Sequence, residues 1–223
     1  MTPEPLRFPG GLYGITPEWD DTPRLLEAIQ AAAEGGMVAL QWRRKTIPAS
    51  LRTEQAGQVV EQCRKLGVTS IINDDWQLAL DTGADGAHLG RDDGEVATAR
   101  LALGPKAILG ASCYNQPERA AAALQAGVDY IAFGAMFASS VKPNAVRADL
   151  LVVSRGLELA RQHRQGPSRA AVVTIGGITP LNAGPVIAAG ADSIALISAL
   201  FSGTPEAIRN TALRCQALFG SPG

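Results

Sequence analysis

The feature that most limits what this chain can fold into is an alternation, repeated eight times, of short apolar runs and longer helical ones. Val68-Thr69-Ser70-Ile71-Ile72 is β-branched and continuous, as a strand covered on both faces must be. The segment 48–66 that precedes it reads as helix and stops at Gly67. Strands are read at 12–15, 37–40 running on into 41–45, 68–72, 86–89, 107–111, 129–133, 171–175 and 193–196. Helices are read at 22–33, 48–66, 76–80, 96–103, 117–126, 150–162, 181–189 and 205–218. Eight βα units with short connections predict one (β/α)8 TIM barrel over residues 1–223, in preference to a doubly wound open sheet. The ends, about 1–10 and 219–223, read as frayed tails.

Composition narrows the function classes. The formal net charge of -1 and a pI near 6.1 give no electrostatic case for nucleic acid or a membrane surface. No apolar run reaches the ~18 residues of a membrane span, and the first residues lack the basic start and apolar centre of a signal peptide. Cys63, Cys113 and Cys215 form neither a metal pattern nor a disulfide framework. The expectation is a soluble cytoplasmic protein, with monomer and homodimer both open.

In a barrel of this type the active site is built at the C-terminal ends of the strands. The second strand runs into Gln41-Trp42-Arg43-Arg44-Lys45, and period two puts Gln41, Arg43 and Lys45 on the inward face of Ala39. Cations aimed inward call for an anion, whereas a strand emerging into solvent would simply carry a solvated charge run. Asn73-Asp74-Asp75 follows the third strand and Asp93 the fourth. Asp74 and Asp93 could share a magnesium-type site completed by phosphate oxygens; Asn-Asp-Asp is equally a turn and helix-cap composition.

Ser112 follows the fifth strand, and Ser139-Ser140-Val141-Lys142 lies beyond the sixth. Hydroxyls and a lysine suit phosphate oxygens, and they also suit an exposed loop. Gly176-Gly177 after the seventh strand and Ile197-Ser198 after the eighth occupy the two loops that hold a phosphate in many barrels. His88, between Ala87 and Leu89, reads as a hydrogen-bonded structural residue, and His163 as solvated. No Ser/His/Asp or Cys/His set is in view, which points to electrostatic and metal-assisted chemistry.

In this order the motifs resemble those of the thiamine phosphate synthase family over essentially the whole chain. They are Gln-x-Arg-x-Lys at 41–45, Ile-Asn-Asp at 72–74, Asp-Gly-x-His-Leu-Gly-x-x-Asp at 85–93, Gly-x-Ser at 110–112, Gly-x-x-Phe-x-Ser at 134–139 with Lys142, Ile-Gly-Gly-Ile at 175–178 and Ile-Ser at 197–198. The resemblance implies a transferase that joins a hydroxymethyl-aminopyrimidine pyrophosphate to a hydroxyethyl-thiazole phosphate, releasing pyrophosphate. It implies that the 41–45 stretch (Gln41, Arg43 and Lys45 in the pocket, Trp42 and Arg44 alternating away), Asn73 and Lys142 bind the pyrimidine pyrophosphate. Arg43, Lys45 and Lys142 would stabilise the leaving group. Asp74 and Asp93 would ligate Mg2+, and Ser112 would face the pyrimidine. Ser139 and its neighbours Ser140 and Val141, with Gly177, Ile197 and Ser198, would hold the thiazole phosphate.

Several positions depart from the family's pattern. Trp42, Arg44, Asp75, Arg91 and Cys113-Tyr114 differ from its usual residues, Asp75 adding an acid close to the expected metal. Val141 stands where a hydroxyl residue is common, a loss of about 1–3 kcal/mol if that hydroxyl binds phosphate. The rival readings are a thiazole tautomerase, which has no use for a complete pyrophosphate clamp, and a non-catalytic thiamine-phosphate binding module. The segment 139–148 is expected to act as a lid.

Overall fold

Strand β1 (Gly11–Ile15) pairs in parallel with β2 (Met37–Trp42) on one side and with β8 (Ser193–Leu196) on the other, which closes the sheet. Between them stand β3 (Thr69–Asn73), β4 (Gly86–Leu89), β5 (Ile108–Tyr114), β6 (Tyr130–Phe133) and β7 (Ala171–Ile175), in chain order around an eight-stranded barrel. The helices are α1 (Thr22–Glu34), α2 (Ala49–Leu66), α3 (Trp76–Thr82), α4 (Val96–Leu103), α5 (Pro117–Gln125), α6 (Leu150–Gln162), α7 (Ala183–Ala188) and α8 (Pro205–Gln216). This computed structural model describes residues 4–138, 146–164 and 166–220. Among the described residues no helix is long and apolar enough to cross a membrane.

Local chemistry sets the element ends. Asp21, Asp75, Asp149 and Thr204 each accept an N–H of the first helical turn that follows them. Gly67 and Gly83 end α2 and α3 in the left-handed conformation that glycine adopts without strain. Strand β5 runs three residues further than its apolar pattern, through Tyr114, because a register shift between Ser112 and Tyr114 absorbs Cys113. Helix α7 is shorter than the 181–189 read from sequence, because 179–182 form a turn closed by Asn182 and Ala183 N–H bonds to Thr179 O.

Period two sorts the strand residues into two cores. One face packs under the helices, with Leu40, Trp42, Ile72, Leu89 and Leu109 among its members. The other fills the lumen with Tyr13, Ile15, Ala39, Ile71, Tyr130 and Val173. Phe8 belongs to that lumen layer at 1% exposure, its ring 4.3 Å from Tyr130 and 5.0 Å from Tyr13. Residues 4–10 are therefore no tail. Arg7 and Arg169 join their backbones, Arg7 pairs with Asp129 at 2.6 Å, and Glu4 accepts from Arg161 and Arg169. An open lumen would expose its apolar floor, and Phe8 stops it, a role that a lone aromatic in a Pro-rich segment does not signal by periodicity.

Candidate active site

Strand β2 ends at Trp42, short of the 45 read from sequence, so period two governs Gln41 and Trp42 while residues 43–45 form the loop that follows. Gln41 is buried and its Nε2 donates to Tyr13 OH at 2.8 Å in the lumen. Trp42 and Arg44 turn the other way, toward Gln55 of α2, as their alternation away from the pocket face anticipates. Trp42 Nε1 donates to Gln55 Oε1 at 3.2 Å. The Arg44 guanidinium, its side chain 1% exposed, bonds Asp20 at 2.5 Å, Glu18 at 3.3 Å, Gln55 at 2.9 Å and the Trp19 carbonyl.

Sequence reasoning missed Glu18, which organises this stretch. It accepts from Arg43 Nη1 at 3.3 Å, from the Lys45 N–H at 3.0 Å and from Thr46 Oγ1 at 3.3 Å, besides Arg44. Burial works to raise its pKa, but the hydrogen bonds from Lys45 and Arg44 outweigh this and hold the carboxylate below its usual range. A single Glu in the loop after β1 carries no motif; only the arginines opposite could have hinted at it.

Beside β2, Asp74 sits with φ 66°, in the left-handed region that Asp tolerates better than most residues. Its N–H is held by His88 O at 2.8 Å, and its Oδ2 lies 2.9 Å from Lys45 Nζ. Asp93 comes to it from the β4 loop, with Oδ2 accepting the Gly90 N–H at 2.7 Å. Gly90 permits this approach, since a Cβ there would fall 2.6 Å from that oxygen. The two carboxyls sit close enough for each to shift the titration of the other. Burial opposes ionisation of Asp74, but Asp93 and Lys45 prevail and lower its pKa. Burial and the Asp74 charge both raise that of Asp93. Asp75, expected near the metal, instead caps α3 and pairs with Arg52 at 3.0 Å. Asn73 ends β3 beside this pair, in register with His88.

Two hard carboxylates in contact, with a mouth open to substrate, fit a magnesium ion that takes its remaining ligands from phosphate oxygens and water. Among the described residues no group of three or more His, Cys, Asp or Glu could hold a metal. A magnesium ion here would have two protein ligands.

Ser112 Oγ lies 2.8 Å from His88 Nε2, and His88 Nδ1 lies 3.0 Å from Tyr130 OH. Burial pushes the His88 pKa down to about 4, against the opposing pull of the Asp74 charge, so the ring is neutral near pH 7. Next along β5, Tyr114 has φ 57°, and Arg91 and Arg119 lie 4.8 and 5.7 Å from its ring centroid.

On the far side of the mouth, Gly176 and Gly177 have φ 99° and 65°. A Cβ on Gly177 would lie 2.5 Å from Ala138 O, so only glycine lets this turn close against the β6 loop. Phe137 N–H bonds Gly176 O at 2.9 Å, and Asn182 Nδ2 bonds Gly177 O at 3.0 Å. Ile197 opens the turn after β8, its carbonyl accepting from Leu200 and Phe201. The backbone N–H groups of Gly177, Ile178, Ser198 and Ala199 donate to no described residue. Ser139, Ser140, Val141 and Lys142 lie outside the described residues, as does the 139–145 part of the expected lid. A cleft of about 410 Å³ between Met136, Arg147, Leu150 and Pro185 contains none of these strand-end side chains.

Comparison with known proteins places the chain in a family. The family model described as thiamine monophosphate synthase matches residues 12–200. A thiamine-phosphate synthase of Bordetella pertussis is 56% identical over 214 residues, 96% of this chain and 97% of that protein. One from Thiobacillus denitrificans is 47% identical over 214 residues, with the same coverage of 96% and 97%. Among solved structures, thiamine phosphate pyrophosphorylase from Pyrococcus furiosus superposes with a TM-score of 0.80 at 29% identity, covering 96% of each chain.

Proposed function

The chain belongs to the thiamine monophosphate synthase family, whose activity is thiamine phosphate synthesis, and from that premise we propose its substrates, metal and site. It condenses hydroxymethyl-aminopyrimidine pyrophosphate with hydroxyethyl-thiazole phosphate, giving thiamine phosphate and pyrophosphate. The observation that carries this reading is the meeting of Lys45, Asp74 and Asp93 at one edge of the barrel mouth. Across from them stands a glycine turn whose N–H groups donate to no described residue.

The reaction breaks the bond between the pyrimidine methylene carbon and the pyrophosphate oxygen, and the electron pair leaves with pyrophosphate. The thiazole nitrogen supplies its lone pair to the same carbon. Lys45 and Arg43 stand where charge builds on the leaving group, which selectively stabilises the transition state. Lys142 is assigned the same role by the family motif. Asp74 and Asp93 would hold Mg2+, which supplies further neutralisation of pyrophosphate oxygens. The N–H groups of Gly177 and Ser198 face the task of holding the thiazole phosphate, with Ile197 shaping the turn that presents Ser198. Fixing both substrates at one mouth favours capture of the electron-poor carbon by the thiazole over capture by water.

The test mixes protein, Mg2+ and the two substrates, and follows thiamine phosphate together with pyrophosphate. Stoichiometric appearance of both is expected, with about a 10²-fold or greater loss in Lys45→Gln. Thiazole isomerisation without condensation would replace this reading with a tautomerase. Binding of thiamine phosphate without turnover would replace it with a binding module.

A further inference from the structure

Five polar side chains stand in single file across the lumen: Gln41, Tyr13, Tyr130, His88 and Ser112. The links are 2.8, 2.9, 3.0 and 2.8 Å in that order. The first four are buried. Tyr130 can lie across the lumen because residue 110 is glycine, whose added Cβ would fall 2.0 Å from the tyrosine Cζ.

Donor bookkeeping gives the file a direction. Gln41 Nε2 can only donate, so the Tyr13 oxygen accepts. A phenol has one proton, and among the described residues the buried Tyr13 hydroxyl has only Tyr130 OH as an acceptor, Gln41 Nε2 being a donor, so it donates there. The Tyr130 proton is left for His88 Nδ1, which must therefore be an acceptor. An imidazole that accepts at Nδ1 carries its proton on Nε2. That N–H meets Ser112 Oγ, which accepts, so the serine's own proton is free to point elsewhere. Burial raises the pKa of both tyrosines, so neither loses the proton it passes on.

We propose that this one-way file makes His88, Tyr130 and Tyr13 positioning residues that hold Ser112 as a hydrogen-bond donor to an acceptor atom of the pyrimidine substrate. The proposal rests on the synthase reading for the identity of that acceptor; the direction of the file does not. Were the Gln41 amide reversed, every link would invert. His88 would carry its proton on Nδ1, and Ser112 would spend its proton on Nε2 with none left for substrate.

The direction can be read by long-range ¹H–¹⁵N correlation spectroscopy of the full chain labelled at histidine. The sequence has two histidines, and His163→Gln leaves the signals of His88 alone. The expected pattern at neutral pH is a protonated Nε2 and an unprotonated Nδ1. The opposite tautomer overturns the proposal, and so does an imidazolium pattern. Tyr13→Phe keeps the ring and removes the relay, so His88 is expected to show a mixture of tautomers. Its kcat/KM for the pyrimidine substrate is expected to fall about tenfold, roughly the worth of one hydrogen bond. A His88 spectrum unchanged by Tyr13→Phe also overturns the relay. Turnover is a separate readout: a protein with the Nε2–H pattern but no condensation would sink the synthase reading while supporting the file.

Discussion

Two adjacent arginines offer the sharpest trial of the site geometry, because they are chemically identical and meet the same Glu18 carboxylate, yet the structure buries one and leaves the other partly exposed. The Arg44 side chain is 1% exposed and that of Arg43 is 22% exposed. In Arg44→Gln the contacts to Glu18, Asp20, Gln55 and the Trp19 carbonyl are lost. Removing one member of an enclosed ion pair costs about 3–5 kcal/mol. Here the partners are less trapped. Asp20 is 83% exposed and returns to water, Gln55 Oε1 keeps Trp42 Nε1, and the Trp19 carbonyl keeps Gln55 Nε2. A loss of about 2–3 kcal/mol is therefore expected, nearer the worth of charged hydrogen bonds. With an m-value of about 1–3 kcal/mol per molar urea, the midpoint should fall by roughly 1–3 M.

Arg43→Gln forfeits one pair to Glu18 at 3.3 Å, worth about 0–1 kcal/mol at a solvated site. It removes a charge aimed at the leaving group, however, and kcat/KM should fall about 10²-fold or more. Urea unfolding by circular dichroism and steady-state condensation kinetics, run on both variants, make the comparison. An Arg44→Gln protein as stable as the parent but inactive would refute the reasoning, because it would place the register of β2 one residue away from that described.

Phe8→Ala removes the lumen floor and should cost about 3–5 kcal/mol, seen as a fall in the urea midpoint; an unchanged midpoint would return residues 4–10 to the status of a tail. Asp93→Asn should raise the Mg2+ concentration needed for half-maximal rate by about tenfold or more, while Asp75→Asn, altering a helix cap, should leave it unchanged in a magnesium titration. Burial pushes the thiols of Cys63 and Cys113 up to about 12 and that of Cys215 up to about 11. All three should resist a thiol reagent at pH 8 until the chain unfolds, and fast labelling of the native protein would contradict their burial.

The barrel was legible in sequence because each element carries its own local signal. A β-branched run such as 68–72 and a glycine stop such as Gly67 need no distant partner to be read. Period two placed Gln41 in the lumen and turned Trp42 toward α2, whereas Arg43 to Lys45 lie past the end of β2, where the rule no longer applies. Glu18 was invisible because it acts on residues about 25 positions away, through contacts no local pattern encodes. Phe8 was hidden for the same reason, since its partner Tyr130 lies across the barrel.

By itself, then, the sequence determined the fold class and which residue types stand at the strand ends, since hydrophobic period and turn chemistry are properties of neighbours along the chain. The tertiary structure decided the pairing of Asp74 with Asp93 and Lys45, the pairing of Asp75 with Arg52 and the lumen file from Gln41 to Ser112. Those depend on barrel closure, which brings remote side chains to hydrogen-bonding distance inside a space where each buried proton must find an acceptor.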